Sequence, residues 1–530
     1  MARASMLQGL RAAARSPRVG AVALQSFSSG LPLGLVWILL PAWLAYRGVD
    51  IKTIGLFSLA QAPWNFKFLW APLMDRFSLP FLGRKRSWIV VTQLLLVGAT
   101  LALAFEVHSP SVIVVAGLAT LIAFASASQD IAIDAYAVEV LEPSEQGVAV
   151  GARIAVYRVA MYLAGALAIT LGARLGWSWV LVGVALLFVP MIGVVVASPE
   201  PVEVPLPPRR LRDAVWGPLV SVFRMDRALE ILSFVLLYKL GENLATALTR
   251  PFLIQKGFSA ADVGVATATI GLGATLLGTF AGGLATERVG LGRALWISGV
   301  LQMAGCLGYA LVDRLGGPIS AGMFDSHRLA MYAAVGGEAT FQGMAAGALG
   351  VLLLRLTSRS FSATQFALFS SIFALGRVVV GPLAGILVDA LGWTPFFLFT
   401  VVAALPGLAM LERFAPWGSA EPTLGVGGMR PPKAPVGRPA LAAFGIIGLT
   451  VGSGFAAAAS ALLDGARDFR KLSGAGRGIA SFFRLSGGHL GALVAPHSTR
   501  DLISLAGPMS IGLACALATG ALVAVRRGVR

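Results

Sequence analysis

Apolar runs of about 20 residues recur along nearly the whole chain, separated by short polar connections, and each is long enough to cross about 30 Å of hydrocarbon as a helix. The runs are continuously apolar, not alternating, which predicts α-helices and excludes the period-two pattern of a membrane β-barrel. The first run covers 21–46, and further runs lie near 51–73, 87–105, 111–136, 148–173 and 177–197. At 198–227 apolarity gives way to a Pro-rich stretch carrying Arg209, Arg210, Arg212, Arg224 and Arg227. Six more runs follow, near 228–248, 261–286, 294–312, 330–356, 361–389 and 393–412. The expected organisation is a six-helix bundle over 1–197, a cytoplasmic linker over 198–227 and a second six-helix bundle over 228–412, an arrangement suited to rocking about a central site.

Beyond 412 a Gly/Pro-rich linker leads to apolar runs at 439–463 and 502–525, so 413–530 is expected to add about two membrane segments. The stretch between them carries Arg467, Arg470, Lys471, Arg477, Arg484 and Arg500, which a fourteen-span count would put on the wrong side for the positive-inside rule. Two alternatives stay open: 439–463 is interfacial or re-entrant, or 478–495 is an amphipathic helix lying on the bilayer.

Composition agrees with this reading: 57% of the 530 residues are hydrophobic, 13% are charged and the mean hydropathy is +0.80, which excludes a soluble enzyme and a disordered chain. The net charge of +17 comes mostly from Arg in short connections, so it reads as membrane topology and not as nucleic-acid binding. Arg3, Arg11, Arg15 and Arg18 precede the first run, which predicts a cytoplasmic N-terminus and an uncleaved first span. Cys306, Cys515 and the four His show no metal-ligand spacing, so no metal and no disulfide framework are expected.

Ionisable residues inside spans are costly and mark functional candidates. Asp130 and Asp134 stand at i and i+4 on one face of the fourth run, next to Gln129. If 142–146 closes an antiparallel hairpin, Asp130 shares its depth with Arg158, and Asp134 with Arg153 or Tyr157. Structural ion pairs and a proton-responsive switch both fit this set. Lys239 and Glu242, three apart in the seventh run, either neutralise each other or line a central cavity where Lys239 meets an anionic group. Glu338 has Gln342 one turn on and no local partner, and Arg377 is a candidate to face it. Trp64 and Lys67, flanking Asn65 in the second run, suggest a lining on which sugar rings stack, or an interface belt. At the basic ends, Asp75-Arg76 with Arg84 behind them is echoed by Glu287-Arg288 with Arg293, so each set is expected to tie two helix ends together, the acid near a helix N-terminus.

Several of these motifs occur together in a known family. Gly30-Leu-Pro32-Leu-Gly34, Lys67-Phe-Leu-Trp70-Ala-Pro72-Leu-Met-Asp75-Arg76, Ser128-Gln129-Asp130-Ile-Ala-Ile-Asp134-Ala-Tyr136, Leu237-Tyr238-Lys239-Leu-Gly241 and Thr364-Gln365-Phe366-Ala367-Leu368 with Leu375-Gly376-Arg377 appear in order, and the sequence over about 20–412 resembles the AmpG-type permeases of the major facilitator superfamily. The resemblance implies the major facilitator fold and a proton-driven inner-membrane carrier; no cofactor and a monomer are expected. Its implied cargo is N-acetylglucosaminyl-anhydro-N-acetylmuramyl peptides, imported for peptidoglycan recycling, with an influence on β-lactamase induction through those ligands. Glu287 stands where the family usually has Asp, residues 78–82 lengthen the first loop motif, and the tail beyond 464 has no counterpart in the resemblance. The competing expectations are a carrier of acetyl-coenzyme A or another anion, which would need a larger cationic funnel, and a membrane-embedded receptor or enzyme of cell-wall metabolism.

Overall fold

The structure is a computed structural model that describes residues 15–49, 57–79, 81–107, 111–201, 210–224, 228–319, 325–423, 437–471 and 479–494, with scattered positions between 505 and 523. Every element among these residues is helical. The first six crossings are α1 (Pro17–Tyr46), a segmented α2, α3 (Arg86–Glu106), α4 (Val112–Val140), α5 (Gln146–Leu175) and α6 (Trp177–Ala197). The composition-defined linker hides a helix, α7 (Leu211–Arg224), which packs against the end of α2 and against α12 (Ser362–Leu391). Proline content alone concealed it, because Pro218 is accommodated inside the helix. The second six are α8 (Ala228–Gln255), α9 (Ala261–Arg288), α10 (Leu291–Leu315), α11 (Ser326–Leu356), α12 and α13 (Trp393–Phe414).

Eleven helices among the described residues are long and apolar enough to cross a bilayer; ten of them, with α2 and α12, make the two sets of six, and the eleventh is Pro439–Gly465 within α14 (Arg438–Lys471). Helix α15 (Ile479–Val494) folds back on α14, with His489 Nε2 2.9 Å from Asp468 Oδ2, and α14 also leans on α12. The run at 502–525 lies mostly outside the described residues.

The second crossing differs from the single span expected. It is built from Phe57–Gln61, Ala62–Phe66, Lys67–Leu69 and Ala71–Arg76, alternating between 3-10 and α turns. Pro63 and Pro72 remove backbone donors within 10 residues, and each starts a new short α segment at its permitted first turn.

Close helix contacts come from glycine. A Cβ on Gly30 or Gly34 of α1 would sit 2.2 Å from Tyr157 O or 2.4 Å from Met161 O of α5, so this GxxxG pair lets two backbones touch, as apolar membrane helices require when hydrophobic burial cannot drive association. Gly34→Leu is expected to push α1 off α5 and cost about 1–3 kcal/mol or more. A clear drop in the tryptophan-monitored melting temperature in detergent would show it, and an unchanged melt would refute the contact.

The face that carries Arg84–Arg86, Arg288, Arg293, Arg355 and Arg359 is termed the basic face. On that side the halves meet through α2 and α4 against α12 and through α5 against α9 and α11. Farther from it, the continuation of α5 packs on α1 and α6, and the start of α9 packs on α11, each within its own half. The halves therefore form a V, closed at the basic face.

Candidate functional site

Inside the V is a cavity of about 760 Å³, in the range of small-molecule sites. Its walls bring together Asp130 and Asp134 from α4, Arg153 and Arg158 from α5, and Lys239 and Glu242 from α8. Three acids thus face three cations, beside the Trp37 ring and the Gln342 amide.

Asp134 pairs with Arg153 at 2.5 Å, one of the two partners expected from hairpin depth, and also with Lys67 at 3.3 Å. The second pair comes from α2, whose broken path carries Lys67 inward. Asp130, one turn nearer the open end, has Ser29 of α1 beside it and lies in the field of Lys67, Asp134 and Arg153. Arg158 faces the same cavity.

Two candidates stand elsewhere. Gln129 is not on the cavity wall and donates to Ser28 Oγ at 2.7 Å, because one residue along a helix turns the side chain by about 100° from Asp130. Trp64 packs in the core of the first half, donating to Ser126 Oγ at 3.3 Å and edge-on to Trp37 at 6.1 Å, so the ring that reaches the cavity is Trp37.

Helix α8 breaks at Tyr238-Lys239 and again at Leu248. The first break turns Lys239 toward Glu242 Oε2 at 2.5 Å and toward the Gln342 carbonyl at 3.2 Å, while the Gln342 amide donates to Glu242 Oε1 at 2.5 Å. The two readings of this pair are therefore not exclusive, since the residues neutralise each other and line the cavity. Glu338, for which the sequence offers no local partner, receives a hydrogen bond from Tyr309 at 3.3 Å across the α10–α11 seam; it is buried in the second half and off the cavity wall. Arg377 lies on α12, but its side chain is outside the described residues.

The basic-face closure has two latches. In the first, fully buried Asp75 accepts from Lys85 at 2.8 Å and from three donors at the start of α12: Ala363 N at 3.2 Å, Thr364 N at 2.8 Å and Thr364 Oγ1 at 2.7 Å. The amides of a first helical turn lack internal acceptors and carry partial positive charge, so a carboxylate from the other half satisfies both needs. Arg84 stands 3.7 Å from Asp75 and 2.9 Å from Glu139, which in turn accepts from Ser362 at 2.6 Å. Sequence reading missed Glu139, although an acid inside an apolar run was the available signal. It also placed Arg76 here, whereas Arg76 lies over the Phe77 ring and Lys85 takes the place beside Asp75.

The second latch mirrors the first with fewer bonds. Glu287 of α9 accepts from Val148 N at 2.9 Å in the first turn of α5, and Arg355 reaches Gln146 at 3.4 Å. Arg288 acts on Glu287 through its charge, while Arg293 turns away and donates to the Gly418 carbonyl at 2.9 Å. Gly147 and Gly283 let the backbones of α5 and α9 approach until an added Cβ on Gly283 would lie 2.2 Å from Gly147 O.

Residues 22–324 match the model of the major facilitator superfamily. The anhydromuropeptide permease of Escherichia coli strain K12 is 43% identical over 399 residues, covering 75% of this chain and 79% of that protein. The chain belongs to the AmpG-type permeases of the major facilitator superfamily. A Haemophilus influenzae protein shares 33% identity with the permease over 74% of this chain and 93% of its own. The crystal structure of a bacterial homologue of the iron transporter ferroportin in an outward-facing state matches it with a TM-score of 0.55 at 14% identity, over 75% of this chain and 98% of that one, a likeness of fold alone. In the permease, cavity, latches and helix breaks together form the apparatus of alternating access: one central site and a closure on one face only.

Proposed function

We propose that the permease is a proton-coupled carrier that imports anhydro-muropeptides across the bacterial inner membrane for peptidoglycan recycling, acting as a monomer, without a cofactor and without a catalytic step. The observation that carries this reading is the 43% identity to the E. coli protein named for that cargo. The cavity chemistry supports it: a balanced set of three acids and three cations suits a peptide bearing both charges better than a polyphosphate, and Trp37 offers a face for a sugar ring. By the positive-inside rule the basic face is cytoplasmic, which puts the N-terminus inside and makes this an outward-open state awaiting cargo. Asp130, Asp134, Glu242 and Glu338 are the groups proposed to take or relay the proton, with Arg158, Lys239 and Arg377 as their countercharges.

The test is uptake of radiolabelled anhydro-muropeptide into vesicles with and without an inward proton gradient, with acetyl-coenzyme A as competitor. Gradient-driven accumulation untouched by the competitor is expected. Absence of uptake would return the cargo to unknown, and displacement by acetyl-coenzyme A would favour the anion carrier.

A further inference from the structure

A second polar region lies behind Asp130, inside the first six-helix bundle and away from the cavity. About 100° round α4 from Asp130, Gln129 donates to Ser28 Oγ at 2.7 Å, and Gln93 of α3 donates to the same oxygen at 3.0 Å. One turn of α1 nearer the basic face, about 4.5 Å along the axis, Gln25 donates to Ser198 Oγ at 2.8 Å, at the end of α6. The Ser198 carbonyl accepts from Arg86 at 2.6 Å, and Arg86 also pairs with Glu200 at the protein surface. Gln25, Gln93 and Gln129 are wholly buried, and the amide oxygen of each lacks a hydrogen-bond partner. Three orphaned acceptors in one seam at bilayer depth are costly to leave unpaired. A buried water, needing two to four polar partners, is the group that relieves them.

We propose that this seam is a water-binding site that carries the coupling proton from Asp130 to the basic face, separately from the path of the cargo; the inference rests on the proton-coupled reading above. Asp130 and Gln129 are adjacent on α4, as Ser29 and Ser28 are on α1, so the seam begins one residue round from the carboxyl. The groups facing Asp130 are Ser29 from α1, Lys67 from α2, Asp134 on its own helix and Arg153 from α5, with Arg158 on the same cavity wall. The proton leaves the Asp130 carboxyl for the first water. Each bridging water accepts one proton and passes one on, the last past buried Ser198 to solvent at Glu200, and the carboxylate left behind lies in the field of Lys67 and Arg153. The latches at Asp75 and Glu287 block the cargo, but not this route, while the V is closed at the basic face.

The test uses the full chain in proteoliposomes, with Gln129→Leu and Gln93→Met made separately. Two readouts are compared: gradient-driven accumulation of labelled anhydro-muropeptide, and counterflow of the same compound without a gradient, which requires folding, binding and gate movement but no net proton transfer. At least a tenfold fall in accumulation with counterflow within twofold of the parent is expected, with recovery in Gln129→Glu, which restores a proton-exchanging group. Unchanged accumulation, or loss of accumulation and counterflow in parallel, would overturn the proposal and leave a packing seam. Failure of the parent protein to respond to the gradient would instead remove the proton-coupled reading itself.

Discussion

Replacing Asp75 by alanine is expected to cut gradient-driven uptake at least tenfold and to open the basic face. The substitution strips the start of α12 of the acceptor for two backbone amides and a hydroxyl, and leaves Glu139 as the carboxylate paired with Lys85 and Arg84. Breaking a buried ionic set by removing one partner costs about 3–5 kcal/mol. These bonds bridge the two halves, so the loss falls on the closed state; since a full reversal from 1:99 to 99:1 needs about 5.5 kcal/mol, the change carries the balance most of the way towards opening. The readout is a cysteine at Val150, on the cavity wall and buried, in a background with Cys306 and Cys515 replaced by Ser. Its labelling by an impermeant maleimide from the basic face should rise sharply, whereas Arg76→Ala should change little. Equal labelling of parent and Asp75→Ala would remove Asp75 from the latch.

The same carboxyl also fixes how the latch responds to acid. Asp75 lies past the apolar part of the second crossing; burial alone would raise its pKa, but Lys85 and the Thr364 donors outweigh this and hold it below the usual carboxylate range. A depressed pKa contributes stability in full above the ordinary carboxylate value and loses it only as pH falls below that value. The latch is therefore expected to give the same maleimide labelling at pH 7 and pH 5.

Lys239→Met is expected to be the most damaging change at the cavity, with uptake down about 100-fold or more, from the roughly 3–5 kcal/mol of leaving Glu242 buried without its cation. Lys239 and Glu242 are both nearly inaccessible, at 4% and 2% exposure, so solvent does not rescue the orphan. The double variant Lys239→Met/Glu242→Gln separates the two roles of the pair. Recovery of both protein yield and uptake would mean that the pair only neutralises itself. Recovery of yield, measured by size-exclusion fluorescence, with uptake still lost is the expected result and would assign Lys239 to the cargo.

The membrane crossings were legible because 20 apolar residues have few other uses, and Asp134–Arg153 was legible because a short hairpin ties depth to residue number. Lys239–Glu242 followed from helical spacing. What escaped has a common cause: sequence gives the angle between two side chains on one helix, but not which angle points at the cavity. Gln129 and Asp130 differ by one residue and serve different seams. Lys67 reached Asp134, and Tyr309 reached Glu338, through packing of separate helices that no local pattern records. Glu139 and Asp75 meet Ser362 and Thr364 more than 200 residues away in the other half, a pairing that local sequence does not record.

The unequal latches have a mechanical consequence. Asp75 holds α12 by three donors with two cations in support, whereas the contacts of Glu287 with α5 are fewer and its neighbouring glycines offer no interlocking side chains. A door secured unevenly does not leave its frame all at once: the edge between α5 and α9, with fewer polar bonds, is expected to swing first, and the edge between α2 and α12 to serve as the hinge. An opening of this face is thus expected to be lopsided, with α5 and α9 parting before α2 and α12.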